Sequence, residues 1–98
     1  MSDVFKALSD PTRRAILSLL RDRAMNAGEI AEAFSQSRAT LSGHFAVLHA
    51  TGLVERERHG STIVYRLRLS VLEEAWLGLA SSLRLGEEKA WGKARPVR

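Results

Sequence analysis

Arginine and hydroxyl side chains that can hydrogen-bond to nucleic-acid bases lie close together between residues 38 and 42. The Arg38 guanidinium can bond guanine O6 and N7 as a bidentate fork, and the hydroxyls of Thr40 and Ser42 can contact phosphate or either base edge. Hydroxyls this close to a helix start often satisfy the backbone instead, so we favour such contact for Ser42 over Thr40. The alternative for Arg38 is an arginine that is simply solvated.

A second basic cluster lies between residues 56 and 59. Arg56, Arg58 and His59 carry groups that can reach the phosphates or the minor groove of a duplex. Glu55 and Glu57 alternate with the two arginines and would repel phosphate. We therefore expect these glutamates to point along the solvated side or to pair with arginines.

The three histidines are candidate metal ligands, but their spacing argues against a site. His44 and His49 are five residues apart on a predicted helix, which puts them on different faces, and His59 stands alone on a turn. The chain has no cysteine, and the predicted last helix offers no suitably spaced ligand pair. We expect packing or phosphate contact for His44, and neither a metal nor another cofactor.

Length and composition restrict the class of function. A chain of 98 residues, 45% hydrophobic and 27% charged, is expected to fold as one small globular domain. Its formal net charge of +4 favours polyanionic partners such as nucleic acid. No glycine-rich phosphate loop follows a strand and no nucleophilic serine lies in a strand–turn–helix elbow, so we expect no enzyme.

The sequence predicts neither export nor membrane insertion. Its N-terminal residues mix Asp3, Lys6 and Asp10 with apolar ones, unlike a signal peptide. The longest stretch without Asp, Glu, Lys or Arg, residues 39–54, is interrupted by polar residues and is a poor membrane span. We expect a soluble, cytoplasmic protein.

Apolar stripes predict helices at both ends of the domain. Ser2 can cap a first helix that ends at Ser9. Ser70 with Glu73 forms a capping box for a last helix that ends at Gly86. The stripe of the first helix is Val4, Phe5 and Leu8. The stripe of the last helix is Val71, Leu72, Ala75, Trp76, Leu79 and Leu83.

Three more helices are predicted between them from their start signals. Asp10 followed by Pro11 begins the second helix, which runs to about Asp22. Asn26 with Glu29 resembles a capping box at the start of the third, and a serine at position 37 can cap the fourth. Their stripes are Ile16, Leu17 and Leu20, then Ile30, Ala31 and Phe34, then Leu41, Phe45 and Leu48.

The fourth predicted helix presents an outer face that is small and weakly polar. A three-residue turn, residues 35–37, precedes it, and Gly52 suits the left-handed position that closes a helix. The outer face consists of Arg38, Ala39, Ser42, Gly43 and Ala46. Because these side chains are short, apart from the arginine, the helix can approach another surface closely.

After Leu53 the hydrophobic pattern alternates as in strands. His59, Gly60 and Ser61 make the turn of a hairpin whose apolar face must rest on the helices, because a lone hairpin is marginal in water. That face is Ile63, Tyr65 and Leu67. The tip of the hairpin is expected to stay exposed.

The order helix, tight turn, capped helix and basic hairpin is typical of a winged helix-turn-helix DNA reader. We predict a mainly α fold with a small β-hairpin between the fourth and fifth helices. Residues 1–86 form the predicted DNA-binding and dimerisation domain, and residues 87–98 form a basic, loosely ordered tail.

Four segments, in this order, resemble ArsR-type winged-helix repressors: VFKALSDPTRRAILSLL, AGEIAEAF, SRATLSGHFAVLHATGLV and HGSTIVYRL. The resemblance covers roughly residues 3–85 and is nearest to the metal-free, SdpR-like autorepressors. It implies a homodimer built on the first and last helices, which represses by occluding a promoter. The fourth helices of the two subunits would then lie in successive major grooves of double-stranded DNA at a near-palindromic operator.

The resemblance also assigns residues to these surfaces. It implies that Arg38, Ala39, Ser42 and Gly43 read bases and that residues 58–61 form the wing tip. It implies a dimer surface of Val4, Phe5, Leu8, Leu72, Ala75, Trp76, Leu79 and Leu83. Independently of the resemblance, Leu77 and Ala80 widen the apolar stripe of the last helix beyond what one small core needs, which favours packing on a second copy.

The chain departs from the family pattern in two places. Gly43 stands where many relatives have a histidine and Phe45 where they have leucine, so the usual set of base contacts is incomplete. The cysteine motif of the arsenic and cadmium sensors is replaced by Glu29, Ile30 and Ala31, and the last-helix histidines of the zinc sensors are missing. Release from DNA would then depend on a partner protein, an organic ligand or concentration alone.

Two other functions compete with that of a dimeric repressor. The small uncharged face at Ala39, Gly43 and Ala46 also suits a winged-helix protein-interaction module with little DNA specificity. A ligand- or metal-responsive repressor is a further alternative. Salt-dependent binding to duplex DNA and its response to divalent metals distinguish the three.

Overall fold

The computed structural model describes residues 3–87, which form five helices and one small sheet. The elements are α1 (Val4–Leu8), α2 (Pro11–Asp22), β1 (Met25–Asn26), α3 (Ala27–Ala31), α4 (Arg38–Ala50), β2 (Val54–His59), β3 (Thr62–Leu67) and α5 (Leu69–Ser82). The predicted order of helices and hairpin is confirmed, with one added strand. The predicted cap Ser2 and the predicted tail from residue 88 onward lie outside the described residues.

Helix α2 begins and ends where its start signal and stripe predict. The side chain of Asp10 accepts a hydrogen bond from the backbone N–H of Arg13 at 3.0 Å, and Pro11 occupies the first helical position. Ile16, Leu17 and Leu20 are buried. This helix is therefore fixed both by its cap and by its apolar face.

Helices α3 and α4 form the helix-turn-helix. Asn26 and Glu29 make a reciprocal capping box, with both N–H···O distances 2.8 Å, so the predicted start of α3 is confirmed. The helix ends at Ala31 and a turn follows, so the connection is residues 32–37 and the prediction of a three-residue turn is wrong. Phe34 nonetheless packs against the core from that connection.

The sheet has three strands in the order β1-β3-β2, all antiparallel. Sequence reasoning missed β1, in which Met25 pairs with Tyr65 and Asn26 with Val64, because two residues are too few to show alternation. This strand joins the helical core to the hairpin. The hairpin turn is centred on Gly60, whose φ of +64° is the left-handed conformation that glycine adopts without strain.

One core lies between the helices and the sheet. Its buried members are Val4, Ala7, Ile16, Leu17, Leu20, Ile30, Leu41, Phe45, Leu48, Leu53, Val54 and Tyr65. The rings of Phe45 and Tyr65 pack at a centroid distance of 4.7 Å, which joins α4 directly to β3. Helix α4 and the hairpin are therefore held in a fixed relation.

Three predictions about the terminal helices are wrong. Phe5 does not share the buried face of α1, because it is 50% exposed and Ala7 is buried instead. Helix α5 begins at Leu69 without a side-chain cap, so Ser70 lies inside the helix and makes no capping box with Glu73. It ends at Ser82, four residues before Gly86.

Candidate nucleic-acid interface

Helix α4 turns one face into the core and the opposite face to solvent. Leu41, Phe45 and Leu48 are buried, as predicted. The predicted contact residues Arg38, Ala39, Thr40, Ser42 and Gly43 are all exposed. A Cβ placed on Gly43 would meet no atom within 4 Å, so the backbone itself is open to a partner here.

The N-terminus of α4 is fixed by a cap made of hydroxyl groups. The Ser37 Oγ accepts a hydrogen bond from the backbone N–H of Thr40 at 3.1 Å and donates one to the Thr40 Oγ1, also at 3.1 Å. The Thr40 hydroxyl is thus partly used within the helix start, as its position predicted. Arg38 makes no ion pair with any of the described residues.

The hairpin carries its predicted contact residues at or near an exposed tip. Arg56 lies opposite Tyr65 and Arg58 opposite Ile63, so these arginines lie on the same face of the sheet as that apolar pair. The Arg58 Nη1 donates to the backbone oxygen of Gly60 at 3.3 Å, which folds its side chain back over the turn. All the predicted hairpin residues are exposed: Arg56, Arg58, His59, Gly60 and Ser61.

The acidic residues of the hairpin lie on its other face. The Glu57 carboxylate lies 3.6 Å from the Arg66 guanidinium and 3.2 Å from the His59 Nε2. The prediction that hairpin glutamates pair with arginines is confirmed for Glu57. Because the Arg66 guanidinium lies beside this carboxylate, the repulsion between Glu57 and a phosphate at the hairpin is reduced.

The start of α4 and the hairpin tip meet in one groove. A groove of about 240 Å³ is lined by the N-terminus of α3, by Arg38 and by Ser61, Thr62 and Ile63 of the hairpin. The fold thus brings together two predicted contact residues that are separated by 23 positions in the chain, Arg38 and Ser61. A single partner can contact both.

His44 does not lie on the outer face with the other predicted contact residues. Its side chain is 16% exposed and packs towards α2, where the Arg13 Nη1 lies 3.2 Å from its Nδ1. Its Nε2 lies 3.9 Å from the Asp10 carboxylate. Of the two expectations for His44, the structure places it as a packing residue.

Arg13 links three helices, a structural role that the sequence analysis did not predict. Its Nε donates to the backbone oxygen of Ala7 at 2.8 Å and its Nη2 donates to that of Lys6 at 3.3 Å. These carbonyls belong to the C-terminus of α1, where a cation is favourable. Through its contact with His44, Arg13 connects the end of α1 to α4. In the sequence, the only indication of this role is that the arginine lies three residues after the Asp10 cap.

The carboxyl group of Asp10 is held in its charged form. The hydrogen bond from the Arg13 backbone N–H lowers the pKa of Asp10, and the nearby His44 and Arg13 side chains act in the same direction. The charge also lies at the N-terminus of α2, where the helix dipole favours an anion. Asp10 therefore stabilises both the start of α2 and the contact with α4.

The residues predicted for a dimer surface have different exposures. Phe5, Trp76 and Leu83 are 50%, 63% and 59% exposed, and Leu8, Leu72, Ala75 and Leu79 are half-buried. Val4 is buried in the core of the protomer, so its side chain has little surface to offer a partner. Leu77, which the width of the apolar stripe predicts to pack on a second copy, is 63% exposed.

Within residues 3–87, no group of three or more His, Cys, Asp or Glu side chains is arranged to hold a metal ion. None of the helices described over the same residues is long and apolar enough to cross a membrane.

Comparison with known proteins agrees with this arrangement. A helix-turn-helix domain model matches residues 8–57, which include α2, α3, α4 and part of the hairpin. The transcriptional repressor SdpR of Bacillus subtilis is 44% identical over 75 residues, which cover 76% of this chain and 83% of that protein.

Solved structures match over most of the chain. An ArsR-like transcriptional regulator from a Rhodococcus species is 32% identical, with a TM-score of 0.69 over 93% of this chain and 89% of the other. A possible ArsR-family regulator from Mycobacterium bovis, described as a homodimeric winged helix-turn-helix DNA-binding domain, is 30% identical, with a TM-score of 0.67 over 86% and 79%. The chain belongs to the ArsR family of winged helix-turn-helix transcriptional regulators.

Proposed function

We propose that the protein is a homodimeric, sequence-specific DNA-binding repressor that occludes a promoter, with its own promoter as the first candidate. The observation that carries this proposal is the groove shared by Arg38 and the hairpin residue Ser61. It supports a single duplex contacting the start of α4 and the wing at once. DNA binding and dimerisation are both assigned to residues 1–86.

Helix α4 is the proposed reader of bases. Its capped N-terminus presents partly unsatisfied N–H groups and Arg38, which together suit an electronegative major groove. Ser42 lies one turn further along the exposed face. Because Ala39 and Gly43 add almost no bulk, the backbone of α4 can lie close to the base edges, where Arg38 and Ser42 make the specific contacts.

The hairpin is the proposed reader of the DNA backbone. Arg56 and Arg58 share one face and Glu57 lies on the other, paired with Arg66. Arginines on an exposed hairpin suit phosphates or the minor groove, and such contacts position a protein without reading sequence directly. Arg58 is therefore expected to contribute affinity on every duplex.

A dimer would present two such DNA-binding surfaces, each made of α4 and the hairpin, to one duplex. The exposed apolar residues Phe5 on α1, Trp76 on α5 and Leu83 just after α5 support a second copy as the partner, and the similar Mycobacterium bovis domain is described as homodimeric. A two-fold dimer places its reading helices about 34–36 Å apart, one turn of DNA. The corresponding operator is nearly palindromic.

The test is a salt-titrated fluorescence anisotropy measurement. Short duplexes tiling the protein's own promoter region are compared with a scrambled duplex, and the mass of each complex is measured in parallel. We expect one tile to bind far more tightly, with two protomers per duplex. Uniformly weak binding that disappears with salt would contradict specific recognition.

Three arginine variants distinguish base recognition from contact with the DNA backbone. Arg38→Ala is expected to cost about 1–3 kcal/mol on the operator and to relax specificity. Arg58→Ala is expected to weaken operator and scrambled duplex alike and to lower the salt slope by about one unit. Arg84→Ala, at an exposed arginine beyond the C-terminus of α5, is the control and should change neither. Equal losses for Arg38→Ala on both duplexes would refute base reading.

A protein-interaction module is the second candidate. The small uncharged face at Ala39, Gly43 and Ala46 also suits close protein packing. This function predicts little salt-dependent duplex binding and recovery of a stable partner in a pull-down. Tight, specific DNA binding without such a partner would exclude it as the main function.

A further inference from the structure

A groove separate from the proposed DNA surface lies between α2, the end of β3 and the start of α5. Its volume is about 350 Å³. Four leucines, Leu8, Leu17, Leu67 and Leu72, form its apolar part. Small-molecule sites in proteins are concave, mostly apolar and at least about 300 Å³ in volume. The groove is therefore of a size suited to a small ligand.

One wall of the groove is polar and cationic. It consists of Arg14, Ser18 and Arg21, which are four and three residues apart on α2 and so lie in one row along the helix. The Arg14 Nη1 donates to the backbone oxygen of Leu8 at 2.8 Å, which holds the side chain at the groove and leaves its other N–H groups for a ligand. Arg21 forms no ion pair with the residues of the described chain.

The combination of leucines and guanidinium groups defines the ligand. An apolar body is stabilised by the leucines, and a carboxylate can bond a guanidinium through two parallel N–H···O contacts. Leu8 and Leu72 also belong to the predicted dimer surface, but Arg14, Ser18 and Arg21 do not. A second copy of this chain, with a net charge of +4, fits this cationic wall less well than an anion does. Charge complementarity thus favours an anion.

We propose that this groove binds a small organic monocarboxylate with an aliphatic body, the carboxylate on Arg14 and Arg21 and the aliphatic body on the leucines. Binding here does not require DNA, because the groove lies apart from Arg38 and the wing. It is measured on the protein alone. A result that contradicts the proposed DNA binding therefore does not contradict ligand binding in this groove. A result that contradicts ligand binding likewise leaves the proposed DNA binding unaffected.

The test uses octanoate and its uncharged counterpart octanol as probes. Calorimetry gives the affinity of each for the full chain, and amide chemical shifts from nuclear magnetic resonance locate them. We expect octanoate to bind at least about tenfold more tightly than octanol, because only octanoate gains charge-assisted hydrogen bonds. The largest shifts should be at residues 14–21 and near Leu67 and Leu72.

Two variants distinguish the contribution of the arginine charges to ligand affinity from that of the open groove itself. Arg14→Gln combined with Arg21→Gln should lower octanoate affinity roughly tenfold or more and leave octanol affinity unchanged. Ser18→Phe places a ring in the groove from an exposed helix position and should weaken both probes. Arg23→Gln removes an arginine just beyond α2 that pairs with Glu29 and does not line the groove, so it should change neither affinity.

Three results would overturn the proposal. The first is equal binding of octanoate and octanol, which would mark a merely apolar surface. The second is chemical shifts centred away from α2 and α5. The third is a change in the oligomeric mass of the Ser18→Phe protein without any change in ligand affinity, which would show that a second copy occupies the groove.

Discussion

Helices α2 and α5 have similar lengths and many apolar residues, yet they are used differently. Helix α2 has 12 residues and buries Ile16, Leu17 and Leu20 within the protomer. Helix α5 has 14 residues and buries none, while Trp76 and Leu77 are each 63% exposed. Apolar content alone therefore does not show where a helix packs.

The difference lies in what each helix has available to pack against. Helix α2 is surrounded by α1, α4 and β3, and its start is anchored by the Asp10 cap. Helix α5 contacts α1, packs only partly buried residues against the core and begins without a side-chain cap. Since a helix is stabilised chiefly by the burial of its apolar face, α5 needs a further surface to bury its own.

The largest expected effect is on the stability of the protomer. Ile16→Ala removes a fully buried side chain from α2 and should lower the free energy of unfolding by about 2–5 kcal/mol. Leu77→Ala on α5 should change it by less than about 0.5 kcal/mol, because that side chain is mostly exposed. Urea denaturation of both variants measures these values, and similar losses would contradict the contrast between the two helices.

The second prediction concerns association. Trp76→Ala should weaken dimerisation by about 2 kcal/mol or more, roughly 30-fold in Kd, because buried tryptophans commonly dominate interfaces. The matched control is Glu74→Ala, an exposed residue that lies about 160° around the helix from Trp76 and outside the predicted dimer surface. Analytical ultracentrifugation measures both dissociation constants. An unchanged Kd for Trp76→Ala would place the interface elsewhere.

The third prediction uses two helical glycines with open space around them. Gly43 in α4 and Gly78 in α5 would both accept a Cβ without contact within 4 Å. Each change to alanine should stabilise the protomer by about 0.5–1 kcal/mol, since glycine is a poor helix former. Only Gly43→Ala should also lower operator affinity, because it adds a methyl group to the face that is proposed to approach DNA. Equal operator binding by both variants would contradict a close approach at Gly43.

Most of the architecture could be predicted from local signals. Three helix starts are marked by the chemistry of a few adjacent residues: Asp10 with Pro11, Asn26 with Glu29, and the Ser37 cap. The structure confirms all three. Ser70 with Glu73 shows the same spacing but makes no cap, because the helix has already begun at Leu69.

What could not be predicted depends on contacts distant in sequence. His44 lies three residues after Leu41 and four before Leu48, so its spacing places it beside the buried stripe. Only its contact with Arg13, 31 residues earlier, shows which side chain it packs against. The strand β1 is defined by its pairing with Tyr65 and Val64 rather than by its own two residues. The meeting of Arg38 with the hairpin tip likewise follows from the Phe45–Tyr65 packing.

The smallest predicted effect concerns pH and the start of α2. The pKa of Asp10 is lowered below 3.8 in the folded protein, so its charge contributes stability above that pH and the contribution is lost as the pH falls through the lowered pKa. Asp10→Asn keeps a capping oxygen but lacks the charge. It should be less stable than the wild type near neutral pH, and the difference between the two proteins should shrink as the pH falls below 3.8.

Asp22→Asn is the control, because it removes a carboxylate from the opposite end of the same helix. An anion at a helix C-terminus is unfavourable, so this variant should be as stable as the wild type or slightly more stable at neutral pH. Thermal denaturation from pH 3 to 7 measures both differences. If Asp10→Asn and the wild type differ equally in stability at every pH, Asp10 contributes through its geometry as a cap rather than through its charge. In that case the contact between α2 and α4 through Asp10 and His44 is not electrostatic.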